Sequence, residues 1–347
     1  MADAMPSSAR SAKASLILLL ASVIWGFAFV AQRLGMDHIG PFLFSGLRNL
    51  LGAVTVWAVV ALRERRLAPL VVDGTSWRSP TLRGGVICGV VLFVAANFQQ
   101  VGLVYVQAAK AGFLTTLYIV LVPLAGLWLR HRVRGHVWGA VVLAVVGLYL
   151  LCLTDLRMAP GDLLVLIGAL CWAAQILAVD RYVRRADVFR LCVIQFLVCG
   201  LLSLVFYPWA DPWFVTVPAG QLGGALWAAL PALLFAGVLS SGVAFTCQAL
   251  GQRVAPPTLA SLIMSLEAPF ATLAGYVVLG EELTRREGLG CVLMFVAIVV
   301  AQLPGRGSSG SRVEASEVRQ RRIPPGARSR NSEKRHPPSQ RHGRDPN

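Results

Sequence analysis

Long apolar runs separated by short charged connections restrict this chain's fold more than any other feature. A helix needs about 20 apolar residues to cross the hydrocarbon core of a bilayer. Ten such runs are read, at about 14–32, 41–62, 84–106, 109–129, 136–153, 161–179, 188–209, 225–249, 257–279 and 288–303. Backbone polar groups in lipid must be bonded within the segment itself, which favours helices. The expected fold is therefore an all-α membrane protein of ten transmembrane helices. The first run could pass for a signal peptide, since Arg10 and Lys13 precede it. It is long, however, lacks a clean small-x-small cleavage site, and is followed by nine more, so it is kept as a span. At 56% hydrophobic and 14% charged residues, the chain is far from the roughly 45–50% and about 25% of soluble domains. A disordered protein, a disulfide-stapled secreted domain and an ordinary cytosolic enzyme are all excluded.

The net charge of +15 has a spatial pattern. Residues 305–347 hold 11 Lys/Arg and 4 Asp/Glu among Gly, Ser and Pro, so 304–347 reads as a disordered, solvated basic tail. With the N-terminus (1–13) in the cytoplasm, the inside segments before the tail carry 15 Lys/Arg and the outside connections 5. That asymmetry fits the positive-inside rule, and the tail also falls inside. The protein is expected in the cytoplasmic membrane with both termini cytoplasmic. All seven Cys lie within the runs and form no CxxC pair, so they read as small apolar fillers.

The two halves repeat. Trp25 matches Trp172 and Phe98 matches Phe245 at an offset of 147, Arg48 lines up with Gln195 at the same offset, and Pro123 matches Pro269 at 146. Five spans per copy is odd, so the second copy must enter the membrane from the opposite side. Residues 14–153 and 161–303 are thus expected to form two five-helix inverted repeats, an architecture of secondary transporters whose substrate site lies between the copies.

Trp25-Gly26-Phe27-Ala28-Phe29-Val30 in the first span resembles the opening of EamA-domain permeases of the drug/metabolite transporter superfamily. So do Asn97-Phe98-Gln99-Gln100-Val101-Gly102-Leu103 and the stretch Ala109-Lys110-Ala111-Gly112-Phe113-Leu114. In the second half, Gly161-Asp162 opens a span containing Trp172-Ala173, and Leu266-Glu267-Ala268-Pro269 precedes Gly280-Glu281. The family usually has Glu and Pro adjacent, whereas Ala268 separates them here. The resemblance implies a cavity lined mainly by spans 1, 3, 4, 6, 8 and 9, which puts Arg48 at its edge. It also implies movement of a small metabolite, such as an amino acid or related solute, in the direction of export.

Polar groups at membrane depth are costly and default to functional candidates. Glu267 lies about eleven residues into the ninth span, near the midplane at ~1.5 Å per residue. Pro269, two residues on, removes a helix hydrogen bond and is expected to loosen the helix. The pair suits a proton or cation site, or a gate; the alternative is a carboxyl that braces the bundle. Arg48 could meet an anionic substrate or pair with Glu267, against a structural role near the surface. Helical spacing pairs Asn97 with Gln100, Thr115 with Tyr118, Ser261 with Met264, and Trp172 with Gln175. With Trp25, these form the expected cavity set, the plainer reading being interhelical hydrogen bonds.

An intramembrane enzyme is the rival class, but no HExxH pattern occurs and all five His lie in connections, at a span edge or in the tail. The expected function is a secondary transporter working by alternating access, with proton coupling through Glu267. An uncoupled facilitator of the same fold is the runner-up. Candidate partners are a small-molecule substrate, membrane lipids, protons and, as a homodimer, a second copy of the chain. Neither nucleic acid nor a cofactor or metal is expected.

Overall fold

A computed structural model describes residues 7–66, 79–106, 108–128, 133, 135–152, 160–215, 217–218, 220–280, 282 and 284–303. The readings of 304–347 as a disordered tail and of the Lys110 side chain fall outside the described part. Every regular element among the described residues is helical. The order is α1 (Ser7–Met36), α2 (Pro41–Arg66), α3 (Pro80–Tyr105), α4 (Ala108–Thr116), α5 (Tyr118–Trp128), α6 (Gly135–Cys152), α7 (Pro160–Val183), α8 (Val188–Ala210), α9 (Leu222–Leu234), α10 (Phe245–Gln252), α11 (Pro257–Met264), α12 (Glu267–Ala274) and α13 (Arg285–Gln302). A π-helical stretch, Phe235–Ala244, joins α9 to α10, and another, Gly275–Leu279, follows α12.

Among the described residues, seven segments are long and apolar enough to cross a membrane: 9–36, 41–65, 80–105, 160–183, 188–213, 222–252 and 257–278. Leu114–Trp128 and Gly135–Leu151 are shorter apolar helices. The last, α13, opens with Arg285, Arg286 and Glu287 before turning apolar. The fold is thus that of an all-helical, multi-pass membrane protein, and its burial pattern matches lipid as the outer solvent. Leu201, Val205 and Trp209 of α8 and Val292 and Val299 of α13 are exposed, whereas Gln32, Arg48, Gln100, Gln175, Gln195, Gln248, Gln252 and Glu267 are buried.

Local chemistry sets the helix ends. Ser79 caps α3, its side chain accepting from Leu82 N at 3.3 Å, with Pro80 at the first helical position. Asp187 caps α8 through Arg190 N at 2.8 Å and donates its own N–H to Thr81 Oγ1 at 3.0 Å. The start of α3 is thereby tied to the turn before α8. Asp211, just beyond α8, accepts from Phe42 N and Leu43 N at 2.8 Å each. It satisfies two N–H groups that the first turn of α2 would otherwise leave unbonded.

The fourth run, read as one continuous helix, is interrupted, and the ninth, expected to loosen at Pro269, is interrupted beside it. The fourth breaks at Leu117 into α4 and α5, and the ninth at Ser265–Leu266 into α11 and α12. Pro269 accounts for the second break, since it has no N–H to return to Ser265 O; the neighbouring bonds run Ala268 N to Ser265 O and Phe270 N to Leu266 O. At Leu117, Leu117 N bonds Leu114 O and Val120 N bonds Leu117 O, the tighter three-residue pattern.

α3 packs on α7 and α8, α2 on α8 and the first π stretch, and α6 on α13. α1 packs on α12 and on the helix formed by α9, the π stretch and α10. The approach of α1 to α12 is possible because residue 26 is glycine: a β-carbon there would stand 2.6 Å from Phe270 C and 2.7 Å from Ala271 N.

Candidate functional site

The breaks and several of the buried polar groups meet at one cavity of about 490 Å³, counting its open mouth. α1 contributes Trp25, Phe29 and Gln32, a single face at helical spacing. α7 contributes Trp172, Gln175 and Ile176, and α10 contributes Phe245 and Gln248. Single residues come from α2 (Arg48), α3 (Gln99), α4 (Thr115), α5 (Tyr118), the π stretch (Ser240), α11 (Met264) and α12 (Glu267).

Tyr118 is the first residue of α5 and Glu267 the first of α12. The Tyr118 hydroxyl donates to Glu267 Oε1 at 3.0 Å, so one hydrogen bond joins the two broken helices at their breaks. The Phe245 ring lies between two indoles. Trp25 meets it edge-on at 4.8 Å between centroids, and Trp172 stacks at 5.9 Å with 22° between planes. Such pairs add about 0.5–1.5 kcal/mol beyond the area they bury. Trp172 Nε1 donates to Gln99 Oε1 at 2.6 Å, and Gln248 Nε2 donates to Gln175 Oε1 at 3.0 Å. Trp25 Nε1, Thr115 Oγ1 and Gln175 Nε2 are buried without a partner.

Of the residues singled out from sequence, Trp25, Arg48, Thr115, Tyr118, Trp172, Gln175, Met264 and Glu267 stand in the cavity wall. Asn97, Gln100, Ser261 and Pro269 do not. Asn97 Nδ2 donates to Phe93 O and to Ser203 Oγ of α8 at 3.0 Å, Gln100 Nε2 contacts Met36 Sδ at 3.0 Å, and Ser261 Oγ donates to Thr258 O. These side chains bind helix to helix or helix to itself. The polar cluster on α3 therefore faces the cavity through Gln99, one residue off the expected face. Pro269 is buried in the first turn of α12 and shapes the break without lining the space.

The placement of Arg48 at the cavity edge is also corrected. It is a wall residue, 4% exposed, bonded through Nη1 to Gln32 Oε1 at 3.0 Å. It forms no ion pair with Glu267. Sequence reasoning left Phe29, Gln32, Ser240, Phe245 and Gln248 out of the site. Helical spacing from Trp25 would have found Phe29 and Gln32, and spacing from Phe245 would have found Gln248. Among the described residues, no group of three or more His, Cys, Asp or Glu side chains is arranged to hold a metal.

The model of the EamA-like transporter family matches the chain twice, over residues 12–153 and 159–302. The chain is 28% identical over 293 residues to an uncharacterized transporter of Archaeoglobus fulgidus, covering 84% of this chain and 86% of that one. It is 25% identical over 296 residues to the uncharacterized inner membrane transporter YedA of Escherichia coli K12, covering 81% and 88%. The threonine/homoserine exporter RhtA of Salmonella typhimurium is 30% identical over 188 residues, 52% of this chain and 58% of that one. A solved crystal structure superposes with a TM-score of 0.66 at 21% identity, covering 84% of this chain and 96% of its own, a likeness of fold.

Proposed function

The chain belongs to the EamA-like transporter family and is a multi-pass membrane transporter, and on that premise we propose that it moves a small metabolite by alternating access between two inverted five-helix repeats. In this reading the ten spans are α1, α2, α3, the α4–α5 pair, α6, α7, α8, α9 with the π stretch and α10, the α11–α12 pair, and α13. The packing supports it, because exchanging the halves maps contacts onto contacts. α3 on α7 corresponds to α1 on the eighth span, while α2 on α8 and α6 on α13 each map onto themselves. Both termini lie in the cytoplasm, as the Lys/Arg distribution supports, and the membrane is the cytoplasmic one. An amino acid or related solute is the cargo and export the direction, a reading supported by the RhtA likeness.

The observation that carries the mechanism is the Tyr118–Glu267 hydrogen bond across the two helix breaks. An ionised carboxylate can only accept from the Tyr118 hydroxyl, whereas a protonated one carries a donor of its own. Loading a proton on Glu267 therefore rearranges the link between α5 and α12 at the cavity wall. Broken helices let their halves pivot separately, and a pivot linked to protonation couples a proton to the exposure of the site.

The test is flux in proteoliposomes, with cargo identified beforehand by a thermal-shift screen against a metabolite library. Glu267→Gln cannot take up the proton, so the flux it retains at saturating cargo should no longer respond to an imposed pH gradient. Full gradient dependence in Glu267→Gln would refute proton coupling through this residue.

A further inference from the structure

Arg48 is a buried cation whose charge nothing in the wall neutralises. Among the described residues its sole bonded neighbour is the neutral amide of Gln32, which donates in turn to Ala28 O at 3.0 Å. Its Nε is buried and unpartnered. No described carboxylate pairs with it. Burying a guanidinium beside a neutral amide alone is costly unless an anion completes the site. Gln32 occupies Nη1, and the free edge is Nε with Nη2, which meets a carboxylate side-on with two parallel hydrogen bonds.

Glu267, 6% exposed, lines the same cavity and receives only the Tyr118 hydroxyl. The cavity thus holds one cation and one anion that leave each other unpaired. Two more wall donors, Trp25 Nε1 and Thr115 Oγ1, are buried and empty-handed. Trp25 Nε1 can do nothing but donate. Its counterpart in the other half, Trp172 Nε1, is satisfied by Gln99. The halves differ at the position where a ligand acceptor would stand.

We propose that the cavity binds a zwitterion, with its carboxylate on the free edge of Arg48 and its ammonium on Glu267. The proposal rests on the transporter reading and refines its cargo: a solute carrying both charges neutralises both buried groups, whereas a simple cation or anion strands one of them. The apolar part of the solute lies against Trp172 and Phe245.

The experiment uses the full-length protein in lipid nanodiscs with L-threonine, L-phenylalanine and 5-aminovalerate as probes, each alongside its methyl ester and its N-acetyl derivative. Binding is read by calorimetry. At least one free zwitterion should bind, and blocking either end should weaken it about tenfold to a hundredfold, the loss of one charge-assisted contact. In Arg48→Gln the free zwitterion should weaken by a similar factor while the methyl ester, with no carboxylate to lose, binds as it does to the unaltered protein. In Glu267→Gln the N-acetyl derivative should be spared in the same way. Arg48→Lys keeps the charge without the fork and should fall between. A purely structural Arg48 would weaken ester and zwitterion alike, and that result overturns the proposal. Should Arg48→Gln not fold, equal binding of the free and blocked probes to the unaltered protein overturns it equally. If no zwitterion binds but another solute crosses proteoliposomes, the proposal fails and the transporter reading stands. If nothing crosses, the transporter reading itself fails.

Discussion

Gly26→Ala perturbs the seam between α1 and α12 with a single carbon. The added methyl would stand 2.6 Å from Phe270 C and 2.7 Å from Ala271 N. Carbon atoms in comfortable contact sit about 3.5–4.0 Å apart, so the two helices must part by roughly 1 Å. The obstacles are backbone atoms one and two residues past Pro269, so no rotamer change relieves the clash. Overpacking of this kind costs about 1–3 kcal/mol, and the displacement carries Glu267 away from Tyr118. Gly139→Ala, on α6, is the control, since a β-carbon there meets nothing within 4 Å. Replacing glycine within a helix by alanine gains about 0.5–1 kcal/mol where no clash opposes it. Thermal unfolding of the two purified variants in the same detergent, followed by flux, should show Gly26→Ala less stable and slower and Gly139→Ala equal to or more stable than the parent. If both variants unfold and transport alike, the claim that this crossing positions the carboxylate is wrong.

Tyr118→Phe removes the donor to a buried carboxyl and should cost about 1–3 kcal/mol, with a change in the pH dependence of flux as its functional sign. Asp211→Ala frees Phe42 N and Leu43 N together; losing a helix cap of this kind costs about 0.5–2 kcal/mol, and hydrogen exchange should quicken at the start of α2 before it does elsewhere. The ion pair between Arg190 and Glu64 joins α8 to α2 with side chains 22% and 33% exposed, so a double-mutant cycle should return under about 1 kcal/mol.

Hydropathy located the apolar helices well because lipid demands long apolar outer faces, and α1, α2, α3, α7 and α8 contain the runs read for them to within one residue. The break at Leu117 was not legible: Pro123 lies six residues beyond it, too far to be its local cause. The π stretch before Phe245 carries no residue signature of its own, since its Gly and Ser serve ordinary packing just as well. Within the site, Trp25, Trp172 and Glu267 stood out because indoles at one repeat offset and a mid-span carboxyl are rare. The choice of Asn97 and Gln100 over Gln99 failed for a rotational reason. Polar residues at 97, 99 and 100 sample most of a helix circumference, and only the packing of α3 on α7 and α8 decides which one turns to the cavity. Arg48 was put at the edge because the resemblance implies a wall that omits the second span, whereas α2 reaches the wall through this one long side chain.

The α6–α13 pair contributes nothing to the cavity wall. At its crossing Gly147 faces Gly290, and a β-carbon on Gly290 would lie 2.5 Å from Gly147 O and 2.7 Å from Leu151 N. Small residues at such a point let two backbones approach closely. In mechanical terms the pair is a clasp without teeth, and any side chain larger than hydrogen at either position would wedge the two rods apart, far from the cavity.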